Sequence, residues 1–286
     1  MTKQDPFLGA WKVQETIYDG TGQKLGLVSQ RRELRSLDGG RLLVRQNCQP
    51  ESQLEGGPMA AFKGDFEFEL KRDGAFRNYL GPDVVGFGAG YGDAFLQGQG
   101  TWPRFGYTFR SWSVSLGENL QVTGGTFFKG EDVAAVVVGI GVPEGLDTPQ
   151  FQDAHLKDGS KLVGESVDFD HSRQEEGLRT SVTRRMVSDL EYWEYCQEQE
   201  SHYRLELHGN GYIMTKNGDL VGAANAYGPI LIWDICDHKG QSISGVESRQ
   251  SIDGQQFSLR RQYQYGSLVS LHGIKWSEDN NIRSME

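Results

Sequence analysis

Long hydrophobic runs are missing from this 286-residue chain. Its longest apolar stretch, Val133 to Val142, is strand-sized, well short of the ~18 residues that a helical membrane span requires. Residues Met1 to Pro6 begin no apolar segment of the signal-peptide kind. Cysteine is scarce and odd in number: Cys48, Cys196 and Cys236 have no metal-type spacing and make no disulfide framework. A reduced, soluble, cytoplasmic protein is therefore expected. Positive charge is also in deficit, with a formal net charge of −10. That balance argues against nucleic acid, whose phosphates reward clustered Lys and Arg, and against anionic lipid surfaces. Sustained 3.6-residue periodicity is absent too. Only Asp189 to Gln199 passes briefly as a helix, and its place in the chain argues for strands. No G-x-S-x-G elbow, H-E-x-x-H pair or Walker loop occurs, and no cofactor is expected.

What is there is alternation. Phe66, Phe68 and Leu70 point one way while Glu67 and Glu69 point the other; Tyr203, Leu205 and Leu207 do the same against Arg204 and Glu206. Similar runs cover Trp11–Tyr18, Leu25–Leu34, Leu42–Gln46, Phe105–Leu116, Gln121–Phe128 and Val133–Val142. Turn chemistry separates them, among it Asp19-Gly20, Asp73-Gly74, Asn210-Gly211 and Asp253-Gly254. The 38 glycines suit an all-β chain of many tight turns.

The chain also repeats itself. Asp65 to Gly74 is echoed by His202 to Gly211, and Gly81 to Gly92 by Gly218 to Gly228. Arg31-Arg32 answers Arg184-Arg185, and Val13-x-Glu15 answers Val163-x-Glu165. A period this long means two copies of a domain, not a solenoid. The expected fold is all-β: two antiparallel up-and-down barrels in tandem, at 1–143 and 159–286, with a Pro/Gly/acidic linker at 144–158. Residues 1–143 carry 15 Lys and Arg against 16 Asp and Glu, but residues 144–286 carry 14 against 23. The acidic half could meet a basic partner or be a solubilising surface.

Phe7-Leu8-Gly9-Ala10-Trp11 resembles the F-x-G-x-W opening of the calycin barrels, the lipocalins and fatty-acid-binding proteins. The resemblance implies that Gly9 allows a close approach and that Trp11 plugs the barrel base. A core Trp at the start of any β-domain is the plainer reading. The second copy has Ser160-Lys161-Leu162-Val163 at the matching place, with no Trp. In layout the chain also resembles a two-barrel family of photosynthetic organisms that includes a chloroplast factor for ATP synthase assembly. That likeness implies an assembly or binding role by analogy of fold alone.

In a strand one arginine of each adjacent pair faces inward and needs a carboxylate from protein or ligand. Arg261-Gln262-Tyr263-Gln264-Tyr265 places Arg261, Tyr263 and Tyr265 on one face, like the carboxylate-holding R-x-Y of fatty-acid-binding proteins, with Arg184 as a second arginine. The alternative is that Arg261 faces solvent or pairs with a surface Glu. Gly86 to Gly92 reads as a kinked strand and turn, since neither a helix nor Gly-Lys-Ser/Thr follows it. Asp234, Cys236 and His238 share one face as a turn-proximal polar stripe, not a metal site. The function expected is non-enzymatic binding of a protein partner or a small hydrophobic ligand. The alternative is an isomerase, cyclase or chromophore lyase acting on a hydrophobic or pigment-like substrate.

Overall fold

The computed structural model describes residues 6–54, 62–82, 84–153, 159–236 and 240–279. The chain divides into two compact units, Met1–Pro149 and Gln150–Glu286. The first holds β1 Gly9–Tyr18, β2 Lys24–Ser36, β3 Arg41–Pro50, β4 Gly64–Asp73, β5 Phe76–Leu80, β6 Val85–Tyr91, β7 Phe95–Trp102, β8 Tyr107–Gly117, β9 Leu120–Lys129 and β10 Asp132–Pro143. The second holds β11 Lys161–Asp170, β12 Glu175–Ser188, β13 Glu191–Cys196, β14 Gln199–His208, β15 Gly211–Lys216, β16 Asp219–Tyr227, β17 Ile230–Cys236, β18 Gln241–Ser248, β19 Gln255–Gln264 and β20 Ser267–Glu278. Each set is an antiparallel meander closed into a ten-stranded barrel, by β1 on β10 and by β11 on β20. Closure leaves neither sheet an open edge.

Alternation decides which side chains enter each barrel. Phe66 and Leu70 are buried on the lumen face of β4. Glu67 and Glu69 point out and meet β3, Glu67 its cross-strand partner Arg45 at 2.6 Å and Glu69 its diagonal neighbour Arg41 at 3.2 Å. In β14, Tyr203 and Leu205 are likewise core residues, while Leu207 is exposed. The echo seen in the sequence is thus strand four of each barrel, and the Asp189–Gln199 segment contains a strand, β13. The glycine-rich Gly86–Gly90 lies within strand β6; Cβ atoms at Gly86 and Gly88 would meet the backbone of β7 at 2.3 Å. No helix is long and apolar enough to cross a membrane among the described residues.

Register aligns the two barrels residue by residue. Trp11 pairs with Arg32 and Leu162 with Arg184, so the two arginines are equivalent. Eight residues beyond Trp11 and Leu162, Asp19 and Asp170 build the same Asx turn, their Oδ1 atoms accepting from the backbone N–H of Thr21 at 2.8 Å and of Ser172 at 2.9 Å. In this register the counterpart of Glu15 is Ser166. Glu165 faces outward, where Arg179 Nη1 donates to it at 3.1 Å. The Val-x-Glu echo therefore joins residues on opposite faces. Glu15 is accommodated by Gly139 on β10, where a Cβ would lie 2.7 Å from its Cγ.

Residues of the expected linker pair within the units they follow or precede. Glu144 forms a 2.5 Å ion pair with Arg31, and Gln152 makes a β-bridge with Ser251.

Candidate functional site

The first barrel encloses a cavity of about 160 Å³. Its walls are mostly apolar, from Ile17, Val28, Val44, Phe68, Phe109 and Val137. Phe62 closes over part of it, its ring 4.7 Å from Trp102 and 5.1 Å from Phe127. Polar groups converge at one place. Arg32 Nε donates to Gln30 Oε1 at 2.8 Å, and Gln30 Nε2 donates to Cys48 Sγ at 3.3 Å. Glu15 stands 3.6 Å from Arg32, an ion-pair distance too long for a hydrogen bond. Burial raises the Glu15 pKa, partly offset by Arg32. Burial, together with Glu15, pushes the Cys48 thiol up to about 12, so it stays protonated and is no nucleophile near neutrality.

The second lumen is charged instead. Arg184 Nη1 donates to Glu247 Oε1 at 2.6 Å and Arg184 Nη2 to Glu194 Oε2 at 2.9 Å. Arg260 Nη2 donates to the same Glu194 oxygen at 2.7 Å. Ser258 Oγ donates to Glu247 at 3.2 Å and accepts from Trp276 Nε1 at 3.0 Å. The Arg184 guanidinium lies 3.9 Å from the Tyr192 ring centroid and 4.5 Å from that of Trp276. Two arginines balance two carboxylates, so the network is self-neutralising. Burial would raise Glu194, but Arg260 and Arg184 outweigh it and hold the carboxyl at about 2. Burial opposes the Arg184 charge, yet Glu247, Tyr192 and Glu194 keep its pKa above the usual range.

Of the residues the sequence singled out, Arg184 enters this network and is 3% exposed. Arg261 does not join it. In β19 the lumen face is Ser258, Arg260 and Gln262; Arg261 and Tyr263 lie on the opposite face, paired across to Ser244 and Ser242 of β18. Tyr265 is 80% exposed in the β19–β20 turn, at φ 50°. The expected cluster of Arg184, Arg261, Tyr263 and Tyr265 is therefore not assembled. Gly9 has φ 110°, and Trp11 is buried on the lumen side of β1, its Nε1 donating to Leu8 O at 3.2 Å. Asp234 and Cys236 are exposed, whereas His238 lies outside the described residues. No group of three or more His, Cys, Asp and Glu is placed to hold a metal among the described residues.

A further set went unnoticed in the sequence. His272 Nδ1 is 2.7 Å from Asp168 Oδ1, and His272 Nε2 is 3.0 Å from Ser270 Oγ. Asp168 and His272 are cross-strand partners separated by 104 residues, so no local motif announces them.

The sequence matches no protein-family model and no curated protein. Among solved structures it is similar to a protein of unknown function from the DUF3598 family of Nostoc punctiforme. The TM-score is 0.63 at 13% identity, over 97% of this chain and 100% of that one. A putative outer membrane protein from Bacteroides fragilis aligns at a TM-score of 0.25 and 8% identity, over 96% of this chain and 100% of that one, too weakly to bear on the fold. The chain, with its two tandem ten-stranded barrels, is thus similar in fold to a DUF3598-family protein, and the likeness extends to the fold alone.

Proposed function

We propose that the first barrel is a binding site for a compact apolar ligand, about one ring in size, with an acidic or carbonyl group at one end. The observation that carries this reading is the 160 Å³ cavity, apolar on most sides and polar at Arg32 and Gln30. A dry cavity of about 150 Å³ takes benzene, whereas drug-sized ligands need about 300 Å³ or more. Size therefore favours a small ligand over a pigment or a long acyl chain. Arg32 spends only its Nε on a hydrogen bond among the described residues, and its loose pairing with Glu15 leaves donors for an incoming carboxylate. A calycin-type role in ligand carriage, in a reducing cytoplasm where Cys48, Cys196 and Cys236 stay free thiols, is consistent with this reading. The pigment-directed enzyme has less support, because the four residues that would have served it do not converge.

The test is calorimetric titration of the full chain with benzoate and with toluene. Both should bind, and Val44→Phe, which fills the lumen, should abolish both. Arg32→Leu should weaken benzoate at least about tenfold, the loss of one charge-assisted hydrogen bond, and spare toluene. Failure of either probe to bind the folded wild-type chain would remove the proposal.

A further inference from the structure

The two barrels serve as each other's control. In the register set by Arg32 and Arg184, Asp168, His272 and Ser270 of the second barrel stand where the first has Ile17, Val137 and Ala135. Those three are core residues, exposed by 0%, 4% and 0%. An aliphatic patch would have served the fold equally well, and polar groups half out of water cost stability unless they are paired. The second barrel has replaced that patch with an acid, an imidazole and a hydroxyl joined in one line.

We propose that Asp168, His272 and Ser270 form a nucleophilic acyl-transfer site at the mouth of the second barrel, acting on uncharged acyl esters or thioesters. The atoms are in the order such chemistry needs. Asp168 Oδ1 accepts from His272 Nδ1–H at 2.7 Å, which leaves Nε2 bare and directed at Ser270 Oγ at 3.0 Å. Burial tends to raise Asp168, but the bond and charge of His272 lower it overall, keeping it an anion able to hold an imidazolium. Ser166 Oγ, 3.2 Å away, donates a further bond to the same carboxylate oxygen. His272 and Asp168 keep 28% and 41% of their side-chain surface exposed, so a substrate can reach them.

Gln262 is a further neighbour of the nucleophile. Ser270 has one hydroxyl proton, and once it is given to Nε2 it cannot also be given to the Gln262 amide 3.1 Å away. In the resting arrangement Ser270 Oγ donates to Gln262 Oε1; a half-turn of the amide during the reaction would present its NH2 to Ser270 instead. Turned in that way, the N–H group would stand beside the nucleophile, where an oxyanion would develop. Arg260, level with His272 on β19, is committed to Glu194 and does not compete for the substrate. The neighbouring Asp168 and Asp170 carboxylates disfavour anionic substrates.

In the reaction, Ser270 Oγ bonds to the acyl carbon as its proton passes to His272 Nε2. The bond from that carbon to the leaving oxygen or sulfur then breaks, and Nε2 returns the proton to the leaving alcohol or thiol. Water attacks the Ser270 ester, giving a proton to Nε2; the bond from the acyl carbon to Oγ then breaks as Nε2 returns that proton to Oγ, and the carboxylic acid leaves with Ser270 restored. The proposal does not depend on a ligand in the first barrel.

The experiment is labelling of the full chain with a fluorophosphonate, read by intact mass and peptide mapping, alongside hydrolysis of p-nitrophenyl acetate and butyrate. One adduct on Ser270 is expected, together with ester turnover. Ser270→Ala should lose both, and His272→Gln should slow both by about a hundredfold or more, the usual share of general-base catalysis. Asp168→Asn should slow turnover while retaining the Ser270 adduct at long exposure. Circular dichroism and melting curves establish that each variant is folded. No adduct on folded wild-type protein, or labelling indifferent to Ser270→Ala, overturns the proposal.

Discussion

Arg184 on β12 reaches across the second lumen to Glu247 on β18, Nη1 to Oε1 at 2.6 Å, although neither strand neighbours the other in the sheet. The contact ties opposite walls of the barrel through charge, where the first barrel is filled mainly by aromatic and aliphatic side chains.

Removing one member of that network should be costly. Arg184→Met strands the Glu247 carboxylate and is expected to destabilise the chain by about 3–5 kcal/mol. Adding Glu247→Leu leaves Arg260 and Glu194 as a balanced pair and should recover much of the loss. Urea midpoints of the single and double variants decide this.

Acid should reach the same network through Glu194. Its folded pKa is depressed from 4.5 to about 2. The stabilisation is therefore fully present above about pH 4.5 and disappears as pH falls through the folded value. Across that window the contribution is of order 3 kcal/mol. The stability gap between wild type and Glu194→Gln, measured by urea titration at pH 6 and pH 3, should narrow on acidification.

Glu15 should show the opposite sign. Burial raises its folded pKa, offset in part by Arg32, so the folded first barrel holds this proton more tightly than the unfolded chain. Its contribution is greatest below pH 4.5 and is lost as pH rises through the raised folded value. Glu15→Gln should abolish that dependence, as melting curves from pH 4 to pH 8 would show.

Gly245 is fixed by contact. It pairs with Trp233, and a Cβ there would fall 2.1 Å from the indole ring. Gly245→Ala must displace Trp233 and should cost about 1–3 kcal/mol, the range for overpacking a filled core. A shift in tryptophan emission should accompany the lowered urea midpoint.

Tyr265 offers a gain instead. Tyr265 and Gly266 form a two-residue hairpin turn at φ 50° and 81°. Asn-Gly suits such turns best, and a tyrosine at positive φ is strained. Tyr265→Asn should raise stability by about 0.5–1 kcal/mol without affecting benzoate binding or ester turnover. A lowered melting point would contradict this.

The sequence carried the architecture well because alternation and turn chemistry are local. Phe66-x-Phe68-x-Leu70 and its echo announce strand four of each barrel, and Arg31-Arg32 announces one inward arginine, which is Arg32. The site was harder to read because β19 inverts the usual pattern. Phe257 and Leu259 are buried on the outer face, at 0% and 1%, while Ser258 and Arg260 line the lumen. Reading apolar as inward therefore selects Arg261 in place of its neighbour. Asp168, His272 and Ser270 were illegible for another reason. Only the pairing of the first strand with the last brings them together, and that pairing leaves no trace in local spacing.

Closure of each barrel by its own first and last strands also sets an order on folding. Every other pairing in the first barrel joins consecutive strands and closes a far shorter stretch of chain. The pairing of β1 with β10 spans most of a domain and carries the largest closure entropy. It waits until residues up to Pro143 have been made, and until then β1 is an open edge able to pair wrongly. Because β10 is complete before β11 begins, the first barrel can close on the ribosome while the second is still being synthesised.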